Sequence, residues 1–319
     1  MNILITGASG FIGGFLVEEA VKKGWQTWAG IRKNSSKEYL QDPSIRFIDL
    51  DYANSTHLKE QIREHVDQFG RWDYIIHNAG VTKCLRPEDF QKVNAEYTRR
   101  LIEALQETGN TPGKFLLMSS YSAHHPTVKT IYGESKHEAE VYLQNTADFP
   151  YMILYPTGVY GPREKDYFLL MKTLQKGLDV EVGSGRQLLT FIYVKDLIKA
   201  AYLALESPVI NRSYFVSDGK EYWDNEYREI VKKALSLKKG VTLKIPDFVL
   251  KAVCVVSDEF SKLTKKPSTF NRDKYKILKE RDWTSDISPI QKDLNFSADY
   301  DLEGGINESV EWYRINGWL

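Results

Sequence analysis

The chain has 319 residues, enough to bury a sizeable core as one large domain or as two unequal lobes. Hydrophobic residues make up 42% of it and charged residues 27%, which are ordinary values for a soluble globular protein. Lysine plus arginine and aspartate plus glutamate both number 43, so no net basic charge favours nucleic acid as a partner.

Cysteines and apolar segments indicate the compartment. Cys84 and Cys254 are too few for a disulfide framework, fit a reducing compartment and lack metal-site spacing. The opening "MNILITGASG" has no charged and apolar leader, so we expect no signal peptide. The apolar stretch 248–260 is too short to span a bilayer and carries three charges, which predicts an amphipathic core helix. We therefore expect a cytoplasmic protein with no membrane partner.

Apolar strand-like segments alternate with amphipathic helical segments through the first half of the chain. The predicted strands cover 2–6, 26–32, 45–50, 73–77, 114–119 and 151–155. The predicted helices cover 11–23, 56–68, 88–107 and 131–145. Repeated strand–helix alternation is typical of a parallel sheet covered on both faces. The sequence therefore predicts an α/β fold with a doubly wound, Rossmann-type parallel sheet.

Beyond residue 160 the alternation weakens and helical patterns dominate, at 166–176, 224–236 and 247–264. One further strand and helix, within 188–205, look like a return to the first lobe. We predict a Rossmann lobe of residues 1–160 plus about 187–217, and a smaller, mainly helical lobe of about 161–186 and 218–319, with a cleft between them.

A glycine-rich turn points to a dinucleotide. Gly7, Gly10 and Gly13 follow the first predicted strand and open the first predicted helix, with the spacing G-x-x-G-x-x-G. This spacing lets the backbone turn sharply and approach a pyrophosphate, whose charge the helix N-terminus meets. Glycines also serve simply as turn residues, but the strand before and the helix after favour a dinucleotide site. The first lobe is thus the predicted cofactor domain and the second the substrate lobe.

The end of the second strand selects between the two nicotinamide cofactors. An acidic side chain there would accept hydrogen bonds from a ribose 2′-hydroxyl and repel a 2′-phosphate. The chain instead has Arg32 and Lys33, with Ser35 and Ser36 nearby. Arginine presents a rigid fork of donors that matches phosphate. A solvated basic turn is the simpler alternative; we expect NADP(H), with NAD(H) as the second choice.

Tyr132 and Lys136 are four residues apart and share one face of a predicted helix. A surface pair is the simple explanation, because both residue types are common. An acid–base pair would require a cofactor site and a polar group upstream. The glycine turn offers the first, and Ser120, at the end of the fifth predicted strand, offers the second.

Taken together, these segments resemble the extended short-chain dehydrogenases/reductases. This group includes sugar-nucleotide epimerases and dehydratases, dihydroflavonol-type reductases and hydroxysteroid dehydrogenases. The matching segments are, in chain order, "TGASGFIG" (6–13), "DL" (49–50), "HNAG" (77–80), "VN" (93–94), "MSSYS" (118–122), "YGESK" (132–136), "YPTGVYGPR" (155–163), "FIYVKDL" (191–197) and "GGINESVEWYRINGWL" (304–319). They span almost the whole chain and are specific jointly rather than singly.

The resemblance implies a set of cofactor-binding residues. In the family the acidic residue after the third strand contacts adenine, the Asn-Ala-Gly turn lines the cofactor, and the segment after the sixth strand passes the nicotinamide carboxamide. Besides the glycines and Arg32, the implied residues are Phe11, Ile12, Asp49, Leu50, Asn78, Ala79, Gly80, Asn94, Tyr132, Lys136, Tyr155, Pro156, Thr157 and Val159.

The resemblance also implies that Ser120, Tyr132 and Lys136 are catalytic. A free tyrosine has a pKa of about 10, too high for a base at neutral pH. The Lys136 ammonium and a positive nicotinamide would both favour the phenolate, and a shift of about 3 units needs roughly 4 kcal/mol. Tyr132 would exchange the proton, Ser120 would hydrogen-bond the substrate, and Lys136 would also hold the nicotinamide ribose.

Only twelve positions separate Ser120 from the tyrosine, fewer than in many extended members. The short spacing suggests a compact substrate loop and leaves Ser119 and Ser122 open as alternatives for the catalytic serine. His124 and His125 fall in the same segment, where they would border the substrate. Adjacent side chains on one loop rarely chelate one metal and no third ligand is evident, so we expect no metal.

The sequence also bears on the substrate. Sugar-nucleotide members usually place an arginine just before the aromatic–Ile–x–Val segment, where it meets the diphosphate. This chain has Leu188 and Leu189 there. Arg186 is close but out of register, and Arg163 is another candidate phosphate contact. The missing charge weakens a nucleotide-sugar interpretation without excluding it.

The sequence is compatible with three functions. The first is an NADP(H)-dependent carbonyl reductase or alcohol dehydrogenase acting on a modest organic substrate, with Tyr132 as acid/base. The second is a nucleotide-sugar epimerase or dehydratase with a tightly bound cofactor. The third is a noncatalytic dinucleotide-sensing protein, against which the intact Ser120, Tyr132 and Lys136 argue. The expected partner is a small-molecule substrate; a homodimer is compatible with the sequence, which does not fix the oligomeric state.

Overall fold

A computed structural model describes residues 1–182, 185–237, 241–264, 268 and 271–319. The strands in these ranges are β1 (Asn2–Thr6), β2 (Gln26–Gly30), β3 (Arg46–Ile48), β4 (Tyr74–His77), β5 (Lys114–Met118), β6 (Tyr151–Pro156), β7 (Gly158–Tyr160), β8 (Leu178–Val182), β9 (Leu188–Leu189), β10 (Phe191–Tyr193), β11 (Arg212–Val216), β12 (Tyr222–Trp223), β13 (Val241–Ile245) and β14 (Asp282–Trp283).

The helices in the same ranges are α1 (Phe11–Lys22), α2 (Ser55–Phe69), α3 (Pro87–Phe90), a π-helix (Gln91–Glu96), α4 (Tyr97–Glu107), a 3₁₀ turn (Tyr121–Ala123), α5 (Ile131–Thr146), α6 (Asp166–Gln175), α7 (Val194–Glu206), α8 (Asp224–Ala234), α9 (Asp247–Thr264), α10 (Arg272–Lys279), α11 (Ser288–Leu294) and α12 (Leu302–Ile315). None of them is both long and apolar enough to cross a bilayer.

Seven strands form one sheet in the order β11-β6-β5-β4-β1-β2-β3, and every neighbouring pair is parallel. The chain order reverses between β1 and β4, which is where doubly wound sheets bind ligands at the carboxyl ends of the strands. The predicted α/β fold with a Rossmann-type sheet is therefore confirmed. The limits proposed for the two lobes remain a prediction.

Both faces of the sheet are covered, which explains why the strands are continuously apolar. Every residue of β1 is buried. Ile3 and Ile5 belong to one core cluster, with side chains from α1 and α7. Leu4, between them, belongs to a second cluster with side chains from α2 and α4. Because successive strand residues point to opposite faces, one apolar run builds both cores.

Two predicted strands are longer than the observed ones. The strand predicted at 26–32 ends at Gly30, and the strand predicted at 45–50 covers only Arg46–Ile48. The latter lies at the sheet edge and pairs with β2 alone. Its flanking residues Ile45 and Leu50 are buried in the core without joining the ladder. The apolar pattern therefore marks Ile45 and Leu50 as buried, but it overestimates the strand length and does not show that Phe47 is exposed.

The helix predicted at 88–107 is interrupted by the π-helix at Gln91–Glu96. The wider turn lets Asn94 point inward, where its Oδ1 accepts from the Val81 amide at 2.8 Å and its Nδ2 lies 3.0 Å from Ser135 Oγ. A π segment inside a helix is often found at functional sites. The apolar period of a helix carries no signal for such a turn, so the sequence did not predict it.

The helix predicted at 247–264 is present as α9, but its interpretation as a core helix is wrong for one face. Leu250 and Cys254 are buried, whereas Phe248, Val256 and Phe260 are 74%, 67% and 62% exposed. Periodicity indicates which residues share a face, and it does not indicate whether another element covers that face.

A buried histidine connects the end of the sheet to two predicted cofactor segments. His77 Nδ1 lies 2.9 Å from Thr6 Oγ1, and its Nε2 lies 3.0 Å from Thr98 Oγ1. The Ala79 amide donates to the same Thr6 oxygen at 3.0 Å, and the Thr98 hydroxyl donates to the Asn94 carbonyl at 2.7 Å. With the neutral ring protonated at Nε2, Nε2 donates to the Thr98 oxygen and Nδ1 accepts from the Thr6 hydroxyl. Every donor in this network then has an acceptor. Burial lowers the pKa of His77 to about 3 and so keeps the ring neutral.

We expect His77 to make the protein less stable in acid. Its folded pKa of about 3 lies below the value of about 6.5 for an unfolded histidine. Between these values only the unfolded chain takes up the proton, so stability falls as the pH falls. The loss at pH 5 should be about 2 kcal/mol relative to neutral pH. Urea unfolding at pH 7 and pH 5 measures it. The His77→Gln variant, which keeps one donor and one acceptor, should lose about 2 kcal/mol less between pH 7 and pH 5 than the unaltered protein, while the share of His65, whose pKa burial lowers to about 4, persists; an unchanged profile would contradict the assignment.

Candidate active site

The glycine turn is held tightly against the segment that follows β4. Gly7 has φ +66°, and a Cβ built on it would lie 2.8 Å from the Ala79 Cα. A Cβ on Gly13 would lie 2.2 Å from the Gly7 carbonyl oxygen. Gly10 precedes α1 and has no side chain to cap its first turn. The amide groups at that helix start are left for an anionic ligand, so the residues present fit a dinucleotide pyrophosphate. Phe11, half-buried, begins the helix with Ile12.

Arg32 lies in the turn after β2, next to this glycine loop. Its side chain is exposed and has no ion-pair or hydrogen-bond partner within the described ranges. Its carbonyl accepts from the Ser35 amide at 2.9 Å, which closes the turn. The Asp49 carboxylate accepts from the Lys33 amide at 2.8 Å, and Leu50 beside it is buried. The Arg32 guanidinium is therefore available to a ligand, whereas one carboxylate oxygen of Asp49 already accepts a backbone amide.

The Asn-Ala-Gly turn 78–80, Asn94 and Lys136 come together, although they are far apart in sequence. A Cβ on Gly80 would lie 3.0 Å from Asn94 Oδ1 and 3.1 Å from Lys136 Nζ. Asn94 also exchanges hydrogen bonds with both backbone groups of Val81, at 2.8 and 3.0 Å. A side chain at position 80 would therefore displace the two polar groups that the sequence assigns to the cofactor.

The segment after β6 presents backbone rather than side chains to this cleft. The Tyr155 ring is buried and lies 4.3 Å from the His124 ring, centroid to centroid. Pro156 ends β6, Thr157 donates its amide to β11 at 3.1 Å, and Val159 lies in β7. A cofactor contact at Tyr155 would therefore come from its backbone.

Three serines are candidates upstream of Tyr132, and their partners differ. The Ser120 side chain lies close enough to the Tyr132 hydroxyl to lower the pKa of that tyrosine. The Ser119 hydroxyl donates to the buried carboxylate of Glu140. Ser122 donates its amide to the Ser120 hydroxyl oxygen at 3.2 Å. Of the three, Ser120 is the residue that the structure brings to the tyrosine.

Three contacts at the N-terminus of α5 fix the position of the residues around Tyr132. The Thr130 side chain accepts from the Gly133 amide at 2.9 Å and caps the helix. A Cβ on Gly133 would lie 2.3 Å from the Ser122 carbonyl oxygen, so only glycine allows the preceding loop to pack this closely. From α10, the Asp273 carboxylate accepts the Ile131 amide at 2.7 Å. The residue before the tyrosine is thus fixed from the second lobe.

Burial dominates the electrostatics of the tyrosine and lysine. Burial raises the pKa of Tyr132 above its usual value; the Ser120 hydrogen bond opposes this rise and the Glu140 carboxylate adds to it. Burial lowers the pKa of Lys136 to about 8, and its Nζ donates to the Met118 carbonyl at 2.9 Å. The expected lowering of the tyrosine pKa by Lys136 is therefore not what the protein's own groups produce. They keep Tyr132 protonated, which suits a proton donor.

Glu140 is a site residue that the sequence reasoning missed. It is 1% exposed, and its Oε2 lies 2.5 Å from His124 Nε2 and 3.8 Å from His137 Nδ1. The ligand-type atoms of these three residues all lie within 4.8 Å of one another, so the argument that His124 has no further ligand nearby does not hold. The available signal was spacing: Glu140 follows Lys136 by four residues and so shares its helix face.

His125 has a structural role instead of bordering a substrate. It is buried, its Nε2 lies 2.8 Å from the Asp282 carbonyl, and its Nδ1 accepts from the Val128 amide at 3.0 Å. Nearby, the Tyr121 hydroxyl donates to the Thr284 carbonyl at 2.6 Å. These bonds fasten the loop between the serines and α5 to the C-terminal part of the chain.

The two arginines considered as diphosphate contacts have other partners. Arg186 donates to Asn225 Oδ1 at 2.7 Å and lies over the Trp223 ring. Arg163 pairs with Glu18 at 2.7 Å, and its guanidinium lies between two aromatic rings at 4.3 and 4.2 Å. In each arginine one nitrogen, Nη2, is engaged by its polar partner, and Arg163 Nε and Nη1 are buried without a hydrogen-bond partner.

Comparisons with known proteins bear on the family of the chain. The family model described as the NAD dependent epimerase/dehydratase family matches residues 3–216. The chain is 26% identical over 319 residues to a ceramide reductase of Caulobacter vibrioides, covering 99% of this chain and 96% of that protein. It is 20% identical to a dTDP-glucose 4,6-dehydratase of Haemophilus influenzae, covering 99% and 98%.

Among solved structures, the UDP-glucose 4-epimerase of Thermotoga maritima superimposes with a TM-score of 0.77 at 20% identity, covering 99% of both chains, which supports the fold. With the family model matching two-thirds of its length, the chain belongs to the NAD-dependent epimerase/dehydratase family and is an enzyme of the extended short-chain dehydrogenase/reductase type.

Proposed function

We propose that the protein is an NADP(H)-dependent reductase that interconverts a carbonyl and a hydroxyl group on a lipid-like substrate. The observation that carries the proposal is the meeting of Ser120, Tyr132 and Lys136 beside the 78–80 turn, with the tyrosine kept protonated by burial. A neutral phenol next to a hydroxyl donor suits protonation of a carbonyl oxygen.

The chemistry assigns one task to each side chain. When bound, the dinucleotide supplies a hydride to the carbonyl carbon or takes it back. Tyr132 donates its proton to the carbonyl oxygen, and Ser120 hydrogen-bonds that same oxygen and so orients it. Lys136, fixed by the Met118 carbonyl at 2.9 Å, holds the cofactor ribose and offsets the charge of the resulting phenolate. In the reverse direction Tyr132 accepts the proton.

The choice of NADP(H) is supported by the exposed Arg32, which has no partner within the described ranges. A phosphate monoester accepts bidentate hydrogen bonds from a guanidinium. Asp49 is the nearest acid in this turn, and the Lys33 amide already occupies one of its oxygens. NAD(H) is the second choice.

The substrate class is supported by two independent observations. Leu188 and Leu189 form β9, at the place where sugar-nucleotide members usually carry an arginine. The ceramide reductase named above is similar over nearly the whole length of both chains, and its name describes reduction of a lipid. A cytoplasmic location fits the two free cysteines. A homodimer remains an expectation.

We expect Arg32→Ala to weaken NADPH binding and to leave NADH binding nearly unchanged. Charge-assisted hydrogen bonds contribute about 1.5–3 kcal/mol, so the NADPH dissociation constant should rise by roughly 10- to 100-fold. Fluorescence titration of both cofactors measures it at fixed moderate salt. Lys37→Ala is the matched control, because Lys37 is on the same loop and its ammonium lies over the Phe47 ring. Tighter NADH binding by the unaltered protein would contradict the assignment.

We expect Tyr132→Phe to lower kcat by about 10²- to 10⁴-fold while cofactor binding stays nearly intact, because the ring and its packing persist. Lys136→Ala should damage both turnover and cofactor binding. Oxidation of NADPH with a detergent-dispersed long-chain ketone gives the rate. Tyr142→Phe is the control on the same helix, since Tyr142 bonds Glu103 at 2.9 Å away from the site. Wild-type turnover by Tyr132→Phe would show that the tyrosine is not the acid.

A further inference from the structure

Helix α9 carries an apolar face that no other element in the described part of the chain covers. Phe248, Val253, Val256 and Phe260 are 74%, 46%, 67% and 62% exposed, and Ala252 lies between them. Four of these positions follow one another at intervals of four residues, so they form a continuous stripe along the helix. Single exposed apolar residues are normal, whereas a contiguous stripe of this kind marks an interaction surface.

The opposite face of α9 is fixed to the protein, so the stripe has a defined direction. Leu250, Cys254 and Ser261 are buried. At the start of the helix, Asp247 accepts a hydrogen bond from the Tyr275 hydroxyl of α10 at 2.8 Å. These contacts anchor α9 on α10 and leave the phenylalanines and valines pointing to solvent.

The same part of the chain is strongly basic. Residues 238–281 include twelve lysines or arginines and five aspartates or glutamates, in a chain whose 43 basic and 43 acidic residues cancel overall. On the described elements, Lys251 of α9 and Lys279 of α10 are exposed, whereas Arg272 and Lys276, 63% and 49% exposed, pair with acidic side chains at 3.5 and 3.0 Å. An apolar stripe beside basic side chains is the arrangement of helices that lie in the surface of an anionic bilayer.

The position of α9 relates this surface to the active site. Its partner α10 supplies Asp273, whose carboxylate accepts the Ile131 amide at 2.7 Å, directly before Tyr132. Lys276 of α10 also donates to the Lys129 carbonyl at 2.9 Å. A membrane held against α9 would therefore lie on the lobe that borders the catalytic tyrosine.

We propose that the face formed by Phe248, Val253, Val256 and Phe260 docks the enzyme on the surface of an anionic phospholipid bilayer. The helix would lie in the interface with its apolar side chains among the acyl chains, without crossing the membrane. This attachment goes beyond the expectation of no membrane partner and needs no membrane-spanning helix. The inference extends the proposed function, because a lipid-like substrate would be taken from the bilayer, but the docking face stands on its own exposure and charge.

The test is flotation of the full-length protein with vesicles. We expect it to bind phosphatidylglycerol/phosphatidylethanolamine vesicles, to bind phosphatidylcholine vesicles weakly, and to dissociate progressively with salt. The double variant Phe248→Ser/Phe260→Ser should lower the partition coefficient by about tenfold or more. Ile315→Ser is the matched control, because Ile315 is 76% exposed on α12, outside the stripe, and its loss should leave binding unchanged.

Two further measurements separate this inference from the proposed function. NADPH binding and reduction of a water-soluble short-chain ketone should be equal in the double variant and the unaltered protein, which also shows that the variant folds. Failure of the unaltered protein to float with anionic vesicles, or equal flotation of the double variant, overturns the docking face whatever the enzyme reduces. A stable dimer in light scattering that the double variant dissociates would also overturn it, because a second copy would then cover the stripe.

Discussion

Three consecutive residues at the end of β5 each bind a different residue on one face of α5. The Met118 carbonyl accepts from Lys136, the Ser119 hydroxyl donates to Glu140, and the Ser120 side chain lies close enough to Tyr132 to lower the pKa of its hydroxyl. Positions 132, 136 and 140 lie one helical turn apart, so a single register of helix against strand satisfies all three pairs at once. The rest of the site depends on this register: Lys136 lies where Gly80 must have no side chain, and Tyr132 lies where its hydroxyl can reach Ser120.

Burial gives these pairs their chemical character. Desolvation raises the tyrosine pKa and so keeps the phenol a proton donor, whereas it lowers the pKa of Lys136 to about 8 and so works against the ammonium form. Glu140 stabilises the ammonium one turn away and is itself bonded by Ser119 and His124. Helix α10 contacts both the start of α5 and helix α9, so it connects the segment before Tyr132 to the proposed docking face.

The sequence was most informative where chemistry and local geometry coincide. The glycines at 7, 10 and 13 can be recognised because close backbone approach excludes a side chain, and Tyr132 and Lys136 because a helix places them on one face. The strand–helix alternation predicted the sheet for the same local reason. Family resemblance supplied Ser120 among three serines, and only the observed partners of Ser119 and Ser122 distinguish it from them.

The features that the sequence could not predict depend on contacts between residues far apart in the chain. The π turn that directs Asn94 inward has no apolar period to reveal it. The fixed positions of Arg163 and Arg186 depend on partners far away in the chain. One face of α9 is exposed because no other described element packs against it. The apolar periodicity of the sequence carries no information about such packing.

The proposed reductase activity is tested most directly by following the hydride from the cofactor to the product. NADPH carrying deuterium at the transferable C4 position is incubated with the enzyme and a long-chain ketone, and the product is analysed by mass spectrometry. We expect one deuterium on the new carbinol carbon for each NADPH oxidised. Multiple turnovers of a nucleotide sugar with no net oxidation of cofactor, and no label in any alcohol product, would contradict it.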